Sequence, residues 1–178
     1  LKRMSFSSCL PRWGLCLLLM GQAGEVLASD ATTRLNFLLN FGRFAEWPTT
    51  TLASGSPVRY CFAPGDPELA REAAWLEGQQ IQGRSIKVVW VSRPAELVGC
   101  HVLFIPADMT APLTPFLKMA EGQSTLTVSD LPEFVDREGM IELVPVSGRY
   151  RFSVNLGAVK RAGLYLSTNL LKLARSVN

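Results

Sequence analysis

A single histidine, His101, occurs among the 178 residues of the chain, and only four cysteines, Cys9, Cys16, Cys61 and Cys100, accompany it. That scarcity excludes a good deal of chemistry. A closed zinc site draws on several His or Cys ligands, and this chain cannot assemble them. A Ser-His-acid relay needs His101 beside a nucleophile, yet there is no Gly-x-Ser-x-Gly elbow, and Cys100, as the next residue of a strand, points to the opposite face. His101 opens an apolar run and reads as a structural histidine. Gly65-Asp66 is an isolated turn with neither a Gly-x-Gly-x-x-Gly fingerprint nor a P-loop lysine around it, so nucleotide binding has little support. The acidic residues Asp130, Glu133, Asp136 and Glu138 do not follow the calcium-loop spacing and read as a solvated loop. No repeat or low-complexity segment is present, and no cofactor or metal is expected. Charge is scarce too, with a net +3 for the whole chain. Most of it belongs to Lys2, Arg3 and Arg12, and no later basic cluster with interleaved aromatics argues for nucleic acid.

Those three cations precede a continuous apolar run, Trp13 to Met20, and the small or compact residues Val26-Leu27-Ala28 follow. This is the pattern of a secretory signal peptide, residues 1–28, cleaved after Ala28. The apolar run is too short for a membrane span, which needs about 18 or more apolar residues. Residues 29–178 then form one exported domain, long enough to bury a core without metals. In an oxidising compartment Cys61 and Cys100 most simply pair. They stand 39 positions apart, too far for a Cys-x-x-Cys redox motif. Buried free thiols are the alternative.

Within the domain, Asp30 is a candidate N-cap for a helix carrying Leu35, Leu38, Leu39, Phe41, Phe44 and Ala45 at helical spacing, ending at Glu46-Trp47-Pro48. Proline disfavours helical geometry in the residue before it, which turns Trp47 either into the core or onto a contact surface. Pro57 to Ala63, Ile86 to Val91, His101 to Pro106 and Ser124 to Val128 read as strands. The Val102–Ile105 run marks a strand covered on both faces. Asp66-Pro67-Glu68 starts a second helix that Gly78 stops, Pro94 to Leu97 allows a helical turn, and a third helix spans Ala111 to Glu121. Met140 to Val146 and Arg149 to Leu156 flank Ser147-Gly148 as a hairpin, the second arm alternating polar Arg149, Arg151, Ser153 and Asn155 with Tyr150, Phe152, Val154 and Leu156. From Asn155 as N-cap, Val159, Gly163, Leu166, Leu170 and Leu173 predict one long amphipathic helix running to Arg175. The expected fold is a three-layer α/β/α domain around a mostly parallel mixed sheet of about six strands, with a C-terminal antiparallel hairpin and that long helix.

For function, the most suggestive residues are Arg149 and Arg151, because an edge hairpin offers unpaired backbone groups, charge and aromatics to a protein partner. A plain edge protected by charge would look the same. The ordered set Glu46-Trp47-Pro48, Gln82-Gly83-Arg84, Leu126-Thr127-Val128-Ser129-Asp130, Gly139-Met140-Ile141, Arg151-Phe152-Ser153-Val154-Asn155 and Leu170-Leu171-Lys172-Leu173-Ala174 resembles the YfiR-like family over essentially all of residues 29–178. The resemblance implies a non-enzymatic, often dimeric periplasmic repressor. It implies binding to the periplasmic region of an inner-membrane diguanylate cyclase, and relief by a peptidoglycan-binding outer-membrane lipoprotein or by redox misfolding. Release raises cyclic di-GMP and promotes biofilm formation. A bridge between Cys61 and Cys100 fits the family's redox-sensitive folding. The expected contact residues are Arg149, Arg151, Val159 at the start of the last helix, and Trp47. A periplasmic small-molecule sensor and an exported hydrolase are the competing classes. Convergent polar groups in a pocket would favour the first, and a perturbed acid or base in a cleft the second.

Overall fold

In the computed structural model, residues 29–178 are described, and the expected signal peptide lies outside them. The chain opens with α1 (Asp30–Phe44). Its N-cap is Ser29 rather than Asp30, because the Ser29 hydroxyl accepts from the Thr32 N–H at 3.0 Å. Asp30 sits in the first turn, where a carboxylate suits the helix dipole. The remaining strands are β1 (Ala45–Glu46), β2 (Val58–Phe62), β3 (Gln80–Ile81), β4 (Arg84–Trp90), β5 (Val102–Ile105), β6 (Leu126–Ser129), β7 (Ile141–Val146), β8 (Arg149–Val154), β9 (Tyr165–Leu166) and β10 (Ser176–Val177). The remaining helices are α2 (Pro67–Glu72), α3 (Leu113–Gly122), α4 (Leu156–Arg161) and α5 (Thr168–Leu171), with 3-10 turns at Ala73–Gly78, Pro94–Leu97 and Val135–Arg137.

Eight strands form the main sheet in the order β10-β8-β7-β6-β5-β2-β4-β3, while β1 and β9 pair separately. Neighbours from β2, β4, β5 and β6 to β7 run parallel, and the β7–β8 and β3–β4 pairs are antiparallel. From β2 the chain crosses to β4 on one side and then returns to β5 on the other. The direction of winding therefore reverses between β2 and β5.

Alternation along the buried strands builds the two flanking layers. Val58, Tyr60, Phe62, Val102 and Phe104 face α1 and the segment through Leu69, Ala73 and Leu76. Cys61, Ala63, Leu103 and Ile105 face Phe116 and Ala120 of α3, together with Leu97 and Phe134. All four β5 residues are buried, as their unbroken apolar run requires. The result is the expected three-layer α/β/α arrangement.

The long C-terminal helix is where the fold departs from expectation. α4 begins at the expected cap, with Asn155 Oδ1 accepting from the Ala158 N–H at 2.9 Å. It stops after Arg161. Gly163 takes φ +71°, its N–H donates to the Lys160 carbonyl at 3.0 Å, and the Leu164 N–H donates to the Val159 carbonyl at 3.1 Å. That is a Schellman ending, which glycine adopts without a Cβ penalty. The apolar residues that continue the helical spacing are then shared out. Leu166 pairs with Ala45, Leu170 packs from α5, and the last residues join the sheet as β10.

Candidate partner-binding hairpin

The β7–β8 hairpin turns through Ser147 and Gly148 at φ +49° and +74°, the positive pair that a two-residue I′ turn needs to match strand twist. Val144 stands opposite Arg151, Pro145 opposite Tyr150 and Val146 opposite Arg149. β6 pairs with β7 only at Ile141 and Glu142, and β10 pairs with β8 only at Ser153 and Val154. From Leu143 to Arg151 the hairpin therefore projects past its neighbours on both sides.

One face of this ribbon is held down. Phe152 stacks edge-on against Phe41 at 5.1 Å between ring centroids and against Phe37 at 6.2 Å, and Tyr150 meets Phe37 at 6.3 Å. The Tyr150 hydroxyl donates to Asp30 Oδ1 at 2.7 Å. Burial, that bond and the Asp30 charge push the Tyr150 pKa up. Behind Asp30 lies Arg34, only 5% exposed, with Nη1 at 2.5 Å from Asp66 Oδ2 and 2.7 Å from Asp130 Oδ2, and Nε at 3.0 Å from Asp30 Oδ2. Burial opposes the Arg34 charge, but the Asp66 hydrogen bond and the fields of Asp130, Asp66 and Asp30 outweigh it and raise the guanidinium pKa. Asp66 also caps α2 through the Glu68 and Leu69 N–H groups, and Asp130 Oδ1 accepts from the Ala107 N–H at 2.7 Å. These carboxylates sit just past the carboxyl ends of β2, β5 and β6. Open α/β sheets commonly hold ligands at this crevice where winding reverses, and here the chain's own ion pairs fill it.

The other face of the ribbon is uncovered among the described residues, because α3 lies over β5 and β6 and does not reach it. Val144, Pro145, Val146, Arg151 and Arg175 line a shallow groove of about 500 Å³ there. Arg149 and Arg151 are exposed, and neither they nor Arg175 makes an ion pair among the described residues. An apolar floor and the cations Arg149 and Arg151 thus share one surface, while Arg175 also borders a neighbouring hollow lined by Glu133, Asp136 and Glu142.

The other expected contact residues lie elsewhere. Val159 is fully buried against the α1 side of the sheet, so it has no surface to offer a partner. Trp47 packs against the same core, its indole N–H donates to the His101 carbonyl at 3.1 Å, and its ring stands edge-on to the imidazole at 6.0 Å. His101 is itself enclosed: Nδ1 accepts from the Arg59 N–H at 3.0 Å and Nε2 lies 3.3 Å from the Thr51 carbonyl. Burial lowers its pKa, which holds it in the neutral form with the proton on Nε2 facing Thr51. Cys61 and Cys100 form a disulfide with Cα atoms 6.0 Å apart, made possible because β2 and β5 are adjacent. Sequence reasoning missed Arg175, which it placed only at the end of a long helix. It also missed the Tyr150–Asp30–Arg34 chain, whose members are far apart in sequence. No group of three or more His, Cys, Asp or Glu residues suited to a metal occurs among the described residues.

Fold and surface together define a three-layer α/β domain carrying a projecting, arginine-rich hairpin. Residues 31–175 match the model of the family described as DUF4154, YfiR/HmsC-like, and the chain belongs to that family. No curated protein matches the chain. Membership points to a periplasmic regulator of a diguanylate cyclase. Among the described residues no helix is long and apolar enough to cross a membrane.

Proposed function

We propose that this chain is a non-catalytic periplasmic repressor that binds the periplasmic region of an inner-membrane diguanylate cyclase and holds it inactive. Family membership supports the partner class, and the uncovered hairpin face with Arg149, Arg151 and Arg175 is the observation that carries the contact surface. Repression of this kind needs only occupancy: the repressor must bind the inactive form of the cyclase better than the active form. A competitor such as a peptidoglycan-binding outer-membrane lipoprotein then relieves it by mass action. Homodimers are part of the same proposal, with the hairpin left free for the cyclase.

The test is calorimetric titration of oxidised residues 29–178 against the cyclase periplasmic region, with wild type and with the R149E/R151E double variant. Saturable binding is expected, weakened at least about tenfold by the double variant, since like or misplaced charge at an interface costs several kcal/mol. The melting temperature should stay within about 2 °C of wild type, because exposed substitutions change stability by only about 0.5 kcal/mol. Absence of binding by the folded wild-type protein refutes the repressor reading.

A further inference from the structure

The geometry points to strand addition: we propose that the free edge of β8 at Tyr150–Phe152 accepts an extended, acidic and apolar segment of a partner protein as an additional strand. The inference rests on the repressor reading for the partner's identity, but the edge itself is argued from backbone geometry.

Pro145 has no N–H, so its pairing with Tyr150 is the open kind, and the neighbouring Val146–Arg149 and Val144–Arg151 pairs carry the ladder bonds. Along β8 the odd-numbered residues therefore bond to β7, and Tyr150, Phe152 and Val154 turn their backbone groups to the outer edge. The bonds to the chain's own C-terminal residues confirm this parity, because the Arg175 N–H donates to the Phe152 carbonyl at 2.7 Å and the Asn178 N–H to the Val154 carbonyl at 2.9 Å. β10 is thus a strand already added to half of this edge. The other half, the Tyr150 N–H and C=O and the Phe152 N–H, has no partner among the described residues. An edge of this kind is a template for pairing with another chain.

Charge selects the occupant. Side chains of an incoming strand would alternate between the α1 side, where the Tyr150 ring packed on Phe37 offers apolar contact, and the open face, where Arg149 and Arg151 of the adjoining strand, with Arg175 nearby, make no ion pair among the described residues. A second copy of the chain pairing through the same edge would set Arg149 and Arg151 beside their own counterparts, and like charges across a strand pair are destabilising. A segment alternating acidic and apolar residues satisfies both the backbone and the side chains. Tyr150, pinned to Asp30 and Phe37, holds the edge in place before binding.

The experiment is amide hydrogen exchange by NMR on oxidised residues 29–178 with a peptide of alternating glutamate and valine at millimolar concentration. Its controls are the alternately N-methylated peptide, the lysine-valine peptide and phosphatidylglycerol vesicles. Exchange at the Tyr150 and Phe152 amides should slow at least about tenfold with the glutamate-valine peptide alone, and R149E/R151E should abolish the effect. Equal binding of the N-methylated peptide, no protection at these two amides, or binding of the vesicles in place of the peptide overturns the proposal. The same exchange measurement with the cyclase periplasmic region separates the two readings. Cyclase binding without protection at Tyr150 and Phe152 rejects strand addition and leaves repression standing. Peptide protection without cyclase binding rejects repression and leaves the edge site standing.

Discussion

Replacing Arg34 by methionine removes the one cation from the carboxylates beneath the hairpin while keeping most of the side chain's length. The Asp66 and Asp130 side chains are only 16% and 15% exposed, so both would lose their counter-charge in a largely dry site. Breaking a buried pair by removing one partner costs about 3–5 kcal/mol. Both aspartates keep backbone N–H donors and some contact with water, which places the expected loss near the low end, about 3 kcal/mol. For a domain of this size that corresponds to a melting temperature lowered by roughly 6–12 °C. The pH dependence gives a second signature. In wild type, burial works to raise the Asp66 pKa, but the Leu69 N–H and Arg34 outweigh it and hold it below the ordinary carboxylate value. Its contribution is present above the unfolded pKa and lost as pH falls. Asp130 is already raised by burial, with Arg34 offsetting part of the effect. Without Arg34 both carboxyls rise, the folded state takes up protons more readily than the unfolded chain, and acid relieves the variant. Urea denaturation followed by tryptophan fluorescence should therefore show a deficit at pH 7 that narrows toward pH 4.5. Adding D66N and D130N to R34M should recover part of it. A deficit below about 1 kcal/mol, the level of an exposed pair, and unchanged with pH would refute the buried-network account.

Three further outcomes follow from the fold. Burial depresses the pKa of His101 below its unfolded value, so stability is full above about pH 6.5 and declines as pH falls through that value. H101Q should flatten the slope in denaturant titrations between pH 7 and pH 5. Replacing Cys61 and Cys100 by alanine opens a closure spanning 39 positions and should cost up to about 4 kcal/mol on the chain-entropy model, measured against the oxidised wild type. G163A places a Cβ at φ +71° and should cost about 1–2 kcal/mol by thermal melting, whereas a continuous helix through this position would have been stabilised by the same change.

The layers were legible in the sequence because long apolar runs and alternation leave strong signals. Val102 to Ile105 announced a strand buried on both faces, and Asp66-Pro67-Glu68 announced a helix start. The two-residue strands were not legible. β1, β3, β9 and β10 span two residues each, too few to display a period. The last third misled for a related reason: Val159, Leu166 and Leu170 keep helical spacing, but Gly163 needed to be read as an ending rather than as a tolerated small residue. Of the candidate surface, Arg149 and Arg151 were found by alternation. Arg175 joins them only because the chain turns back to form β10, and Tyr150 reaches Asp30 across 120 positions of sequence, which no local pattern reveals.

The seam between β2 and β5, where the winding reverses, is fastened twice and by unlike means. Near the start of β5 it is crossed by a covalent bond from Cys61 to Cys100, and past the carboxyl ends of the same strands it is drawn together by Arg34 and its aspartates. A reductant attacks the first fastening, and acid weakens the second through Asp66, whose pKa the site holds down. Two chemically unrelated stresses, loss of oxidising conditions and a fall in pH, thus converge on a single joint, and either alone leaves the other still holding it shut.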